Sequence, residues 1–181
     1  MATDRAAALI EFLRRQRQTR VFTPEPVSDD DVQQILEVAR WTGSSKNTQP
    51  WNFVVVRDRA TLEALSKTRK YAIWISDVPM IIAPVMESDD PKAHGYDEGR
   101  VSERIMLAAQ ALGLGSGVVW FSEPPAMAEA RRLLNIPKGH ALISAVAIGH
   151  PAPADPNAPK RDQPRKPLSE IVHWETFGKR S

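Results

Sequence analysis

Six prolines, Pro151, Pro153, Pro156, Pro159, Pro164 and Pro167, crowd residues 150–167. Each lacks a backbone N–H and holds φ fixed, so neither a helix nor a central strand can run through that stretch. Regular structure of any length must therefore lie before Gly149. The sequence thus predicts a folded core over 1–149. Residues 150–181 read as an arm of the same domain, laid over a surface it does not build itself. A short helical piece over 168–174 closes the chain. With 181 residues, one core can bury on the order of 70% of the unfolded surface without staples.

Ahead of the arm, helical and extended patterns alternate. Residues 4–15 place Leu9, Ile10, Phe12 and Leu13 on one helical face, with Thr3 or Asp4 to cap it. Arg14, Arg15, Arg17 and Arg20 follow, before Phe22 and the breakers Pro24 and Pro26. Ser28 with Asp31 resembles a capping box opening a helix that carries Val32, Ile35, Leu36 and Ala39. Phe53 to Val56 reads as a strand apolar enough to be buried on both faces. Residues 60–70 read as helical, and Pro79 to Met86 as a second buried strand. Val101, Ile105, Ala108, Ala109 and Leu112 mark a helix over 97–112, which Gly113 ends. Val118 to Phe121 is a short strand. Ser122 and Pro124–Pro125 start a helix with Met127, Ala130, Leu133 and Leu134, and Ala141 to Ile148 is the last strand. This alternation gives an α/β or α+β class.

Composition removes several functions. Cysteine is absent, which excludes disulfides, thiolate nucleophiles and Cys-based metal sites. A net charge of +2 and a basic cluster flanked only by Phe12 and Phe22 argue against nucleic acid. The run Val78 to Met86 holds two prolines and is too short to span a bilayer. The first residues, MATDRAAALIEF, show no signal-peptide pattern, so a cytoplasmic location with no membrane partner is expected. His94, His140, His150 and His173 lack metal-ligand spacing and read as loop or surface residues. Asp97 and Glu98 read as the acidic start of a helix. No nucleophile elbow is present. Chemistry in such a chain would come from a cofactor.

Three segments remain. In LGLGSGVVW, Gly113, Gly115 and Gly117 follow a helix and precede a strand, the reverse of the dinucleotide-binding order. They serve either as a helix cap with a tight strand start, or as clearance for a flat ligand against backbone. The cluster Arg14–Arg20 either complements a helix end or binds an anion through guanidinium forks. Lys160, Arg161, Arg165 and Lys166 form a second basic patch that could converge on the same phosphate. GSSKNTQPW offers hydroxyls and carboxamides that either satisfy their own loop or read a heteroaromatic edge mixing NH and C=O groups.

Together these motifs resemble the FMN-dependent nitroreductase family. RQTRVFTPEPVSDDDVQQILEVAR, WTGSSKNTQPWNFVVV and YDEGRVSERIMLAAQALGLGSGVVW carry the resemblance in family order, and RKPLSEIVHWETFG resembles the closing arm. The resemblance implies an α+β fold with a central, mostly antiparallel sheet flanked by helices. It also implies an intertwined homodimer, with the arm exchanged and FMN at the interface. By position, Arg17, Gln18 and Arg20 match phosphate and flavin contacts, with Arg20 the candidate cation beside ring N1 and O2. Ser44, Ser45 and Asn47 match flavin contacts, and Gln49 shares their loop. Val118, Val119 and Trp120 match the stretch whose backbone runs along the flavin. Arg165 matches a phosphate-binding arginine of the arm. The chain departs from the family at Gln16 (usually Arg), Gln18 (usually Ser), Gly43 (usually Pro) and Gln163 (usually basic). Residues 68–76 have no match. The implied activity is hydride transfer from NAD(P)H through flavin N5 to nitroaromatics, quinones or similar small electron-poor acceptors, by a ping-pong scheme. Reductive dehalogenation or flavin breakdown, and a non-catalytic FMN-binding or sensing role, are the alternatives. Little room exists for a lid between 86 and 97, which favours an open site.

Overall fold

The computed structural model describes residues 2–88, 91–121, 123–153 and 164–180. Its helices are α1 (Ala2–Arg15), α2 (Asp29–Arg40), α3 (Arg59–Ser66), α4 (Pro91–Ala111), α5 (Pro124–Leu133) and α6 (Leu168–Ile171). Its strands are β1 (Trp51–Val56), β2 (Met80–Met86), β3 (Gly115–Trp120) and β4 (Ser144–Gly149). They form one sheet in the order β1-β2-β4-β3, with every neighbouring pair antiparallel. This is the expected α+β fold with an antiparallel sheet.

Local chemistry explains most boundaries. Ser28 caps α2 by accepting the Asp31 N–H at 3.1 Å and donating its hydroxyl to the Asp31 carboxylate at 2.7 Å. Asp58 caps α3 through the Thr61 N–H at 2.8 Å. Gly113 takes φ +76° at the end of α4, a conformation that suits glycine.

The sheet is apolar on both faces. Met80, Ile82, Val146 and Ile148 face α2 and α4, meeting Ile35, Ala39, Val101 and Ile105. Ile81, Ala83, Ala145 and Ala147 face the other way, meeting Leu62, Leu65, Ile75 and Phe121. The alternation along β2 and β4 is the strand period made visible. Both strands are central and buried throughout.

Several expectations change. β1 is not buried on both faces: it is an edge strand, and Asn52 and Val55 are exposed. Among the described residues one of its sides has no strand neighbour, which its valines could not reveal. β3 begins at Gly115, so two of the three glycines lie inside the strand. β4 begins at Ser144, while Ala141 exchanges backbone hydrogen bonds with Met86. α4 starts at Pro91, so Asp97 and Glu98 sit a turn or more inside it rather than at its start. The apolar face of α1 is largely uncovered. Leu9, Ile10 and Leu13 are each more than half exposed, and Gln110 tethers the helix by donating to the Phe12 carbonyl at 2.6 Å. Ser122, Lys160, Arg161 and Gln163 lie outside the described residues. No helix among the described residues is long and apolar enough to cross a membrane.

Candidate functional site

The site is organised around β3. The chain after α1 lies along this strand: Gln18 bridges Ser116 in parallel sense, and the Thr19 N–H donates to the Ser116 carbonyl at 2.6 Å. This contact explains the strand glycines. A Cβ on Gly117 would fall 2.3 Å from the Thr19 carbonyl oxygen, and one on Gly115 would fall 2.8–2.9 Å from the Thr19 side chain. The backbone that needs clearance is the chain's own. Of the two readings left open, Gly113 fits the helix cap, and Gly115 and Gly117 give clearance to the 18–19 segment.

Gln18 is thereby aimed at the strand end. Its carboxamide oxygen accepts the Val118 N–H at 3.3 Å and an Arg20 guanidinium N–H at 3.4 Å. Arg20 also stands 6.0 Å from the Trp74 ring centroid. Val119 points into the core, whereas Trp120 is half exposed.

One arginine of the basic arm, Arg165, meets the arginines at the end of α1. Arg14, Arg15, Arg17 and Arg165 line one basin of about 450 Å³, together with Gln16, Leu13, Glu11 and Glu103. Four guanidinium groups there face two carboxylates. Glu11 accepts from Arg15 at 2.8 Å and Arg14 at 3.4 Å, and the Arg15 hydrogen bond holds its carboxyl below the usual range. Arg17 reaches back to the carbonyls of Arg14 and Gln16, both at 2.7 Å. One nitrogen of Arg17 thus performs the capping role open to any arginine at a helix end.

A second, smaller cavity of about 230 Å³ adjoins this basin, with Gln16 and Glu103 in both walls. Gln18, Val118 and Trp120 line one side. Gly95, Glu98, Gly99, Ser102 and Met106 of α4 line the other, with Ser144. On the far side of Val118–Trp120 opens a cleft of about 490 Å³ between Arg20, Arg69, Lys70, Tyr71, Ile73 and Trp74. Most of these residues belong to a 3-10 helix, Lys70–Asp77, within the segment where the sequence offered no match. Arg69 pairs with Glu123 at 2.6 Å and lies 5.7 Å from the Tyr71 ring centroid. Its helical period is broken, so spacing could not flag it; the mix of cations and aromatics was the available signal.

The loop Ser44–Gln49 stands apart. A single 3-10 turn, Ser45–Asn47, is stapled by the Gln49 N–H donating to the Ser44 hydroxyl at 2.8 Å. Lys46 (φ 50°), Asn47 (φ 55°) and Gln49 (φ 49°) are all left-handed, each at a cost of about 1–2 kcal/mol. Ser45 and Asn47 are exposed. The loop contributes to neither the basin nor the two cavities beside Trp120. Gln49 instead borders a groove between α2 and β1 with Trp51 and Phe53. Gly43 is pressed against α4, where a Cβ would fall 2.9 Å from the Arg100 guanidinium.

His94 departs from the surface reading: it sits on α4 with both ring nitrogens buried. Among the described residues no cluster of metal-ligating side chains occurs.

Fold and site together define an α+β protein with an antiparallel sheet and an arginine-lined basin. A family model described as the Nitroreductase family matches residues 13–99 and 66–150. A protein of Archaeoglobus fulgidus, assigned as an NADH dehydrogenase/NAD(P)H nitroreductase, is 34% identical over 152 residues, covering 78% of this chain and 84% of its own. The NAD(P)H-dependent FMN reductase of Bacillus subtilis is 29% identical over 193 residues, covering 93% and 74%. An FMN-dependent nitroreductase structure from Clostridium difficile shares the fold, with a TM-score of 0.81 at 24% identity, over 93% of this chain and 99% of that one. The chain belongs to the nitroreductase family.

Proposed function

We propose that the protein holds FMN between two copies of itself and acts as an NAD(P)H-dependent oxidoreductase on nitroaromatics, quinones or similar electron-poor acceptors. One observation carries this reading: Arg14, Arg15 and Arg17 share a basin with Arg165, and that basin opens toward the Gln18–Trp120 strand end.

The residues present fit the cofactor. The basin has the donor set of a phosphate site, since guanidinium forks match phosphate oxygens. Gln16 and Gln18, where the family usually has Arg and Ser, leave that work to Arg17, Arg165 and the neighbouring Arg14 and Arg15. Gln18, Val118 and Trp120 supply mixed donors, acceptors and an aromatic wall for the ring. Arg20, held near them by Gln18, would stabilise negative charge on the pyrimidine edge. When bound, FMN would supply hydride transfer between NAD(P)H and an electron-poor acceptor. The protein's own residues bind, orient and shield it.

The dimer rests on what one chain leaves unfinished. The loop bearing Ser44, Ser45, Asn47 and Gln49 lies away from the basin, so a second copy is needed to bring such a loop to it. Leu9, Ile10 and Leu13 of α1, and Leu168, Ile171, Trp174 and Phe177 of the arm, expose large apolar side chains, the material of an interface with a second copy.

The test is anaerobic mixing of the FMN-loaded protein with NADH or NADPH. The yellow colour should bleach with at least one donor and return on adding a nitroaromatic or quinone. Failure to take up FMN overturns the cofactor assignment. Uptake without bleaching makes the protein a flavin binder rather than an enzyme.

A further inference from the structure

Glu98 is a carboxylic acid that the mechanism above does not use, and it is 3% exposed. It lies on the same face of α4 as Val101, Ser102 and Ile105, so it points inward with the core, whereas the Arg100 side chain is 41% exposed and pairs with Asp97 at 3.4 Å. Its carboxylate accepts the Ser144 hydroxyl. Ser144 is the first residue of β4 and the register partner of Trp120, the last residue of β3. The chain Glu98–Ser144–Trp120 therefore ties the long helix to the rung at which β3 ends. Glu98, Ser144, Gln18, Val118 and Trp120 all line the same small cavity.

We propose that Glu98 is a positioning residue: through Ser144 it sets where the Val118–Trp120 strand end stands against the ligand. The flavin part of this inference rests on the function proposed above; the strand-position part does not. A buried acid is a costly way to hold a serine, since an apolar side chain would satisfy the core at less expense. The same wall carries Ser102, whose hydroxyl is buried with no hydrogen-bond partner among the described residues. α4 thus keeps a polar face toward this cavity at a price in stability, as binding sites do. Burial pushes the Glu98 carboxyl above the usual carboxylate range, and its hydrogen bonds to Ser144 offset this only in part. The other charges near it are few. Glu103 lines the cavity from the same helix, and β3, β4 and the 16–18 segment contribute only Val118, Trp120, Ser144, Gln16 and Gln18. Arg20 reaches Gln18 but does not line the cavity. Glu98 accepts from Ser144 at the wall beside Trp120.

A double-mutant cycle tests the coupling. Tryptophan emission of the ligand-free protein is compared with that of Trp120→Phe, which isolates the Trp120 signal, in Glu98→Ala, Ser144→Ala and the double variant. FMN dissociation constants are measured on the same set. Each single variant should shift Trp120 emission and weaken FMN binding about fivefold, the scale of one hydrogen bond, with no further change in the double variant. Glu98→Gln keeps an acceptor for the Ser144 hydroxyl and should resemble the parent. If Glu98→Ala does not fold, Ser144→Ala alone should still shift Trp120 emission and weaken FMN binding, and Glu98→Gln should do neither. Additive effects, an unmoved Trp120 signal, or a Glu98→Gln variant as impaired as Ser144→Ala would overturn the proposal. If the parent takes up no FMN while the emission cycle shows coupling, the flavin reading fails and the positioning role stands.

Discussion

Gln18–Arg20 and Ser44–Gln49 carry similar polar residues and are held in opposite ways. The first segment is clamped to β3 by a backbone bridge, by the Thr19–Ser116 hydrogen bond and by two glycines that let it approach. The second is exposed, holds itself by Ser44 and Gln49, and keeps three non-glycine residues in left-handed conformations. One segment is thus built with the core of a single chain. The other has a strained shape ready before anything touches it, and stored strain of this kind clusters where chains bind ligands or partners. The contrast separates two kinds of mutational damage.

The largest effect should come from Gly117→Ala. Its new Cβ would meet the Thr19 backbone oxygen at 2.3 Å, and backbone cannot swing aside as a side chain can. A loss of about 3 kcal/mol in urea unfolding is expected, with FMN affinity lost alongside. A fully stable variant would show that the segment is not clamped.

Arg165→Ala should leave stability unchanged, because the residue is exposed. It should weaken FMN by roughly 1.5–3 kcal/mol, the range of a charged hydrogen bond. Unchanged affinity in a titration would remove Arg165 from the site and leave the basin to the α1 arginines.

Asn47 sharpens the loop side. Asn47→Gly accepts φ 55° without a Cβ, while Asn47→Ala does not, so Ala should be less stable than Gly by about 1 kcal/mol. Both should lose FMN affinity by about 1 kcal/mol if the carboxamide itself makes the contact. A loss confined to Ala would mean that only the loop's shape matters.

The smallest effect is one of pH. The Glu98 carboxyl is raised in the folded protein, so the native state binds the proton more tightly than the unfolded chain. Stability from this group is complete below the ordinary glutamate range and falls as pH climbs through the raised native value. Glu98→Gln escapes that loss. Its melting temperature relative to the parent should rise with pH across that window and then level off. A constant gap would place Glu98 in a solvent-like setting.

Much of this was legible beforehand. Ser28 with Asp31 marks α2 because a serine hydroxyl and an N3 amide meet only at that spacing. Arg14–Arg20 and GSSKNTQPW stood out because nothing in a core needs them. Glu98 was misread because acidic pairs favour helix starts, and the start at Pro91 was not visible. A better signal was present: residues 98, 101, 102 and 105 share one helical face, which puts a carboxylate among Val101 and Ile105. The edge position of β1 had no such signal, since four consecutive apolar residues suit a central strand as well as an edge one. The cleft around Arg69 and Trp74 was hidden by its 3-10 geometry, which follows neither the helical nor the strand period.

The order of elements, their caps and the proline-bound arm follow from short-range preferences of φ, hydrogen bonding and apolar spacing, and these are local properties of the chain. Which arginines share a basin, which glycine must stay bare and which acid becomes buried depend on segments far apart in the chain meeting in space. Only the packed sheet settles that, because burial and close approach are properties of pairs of segments and not of either one.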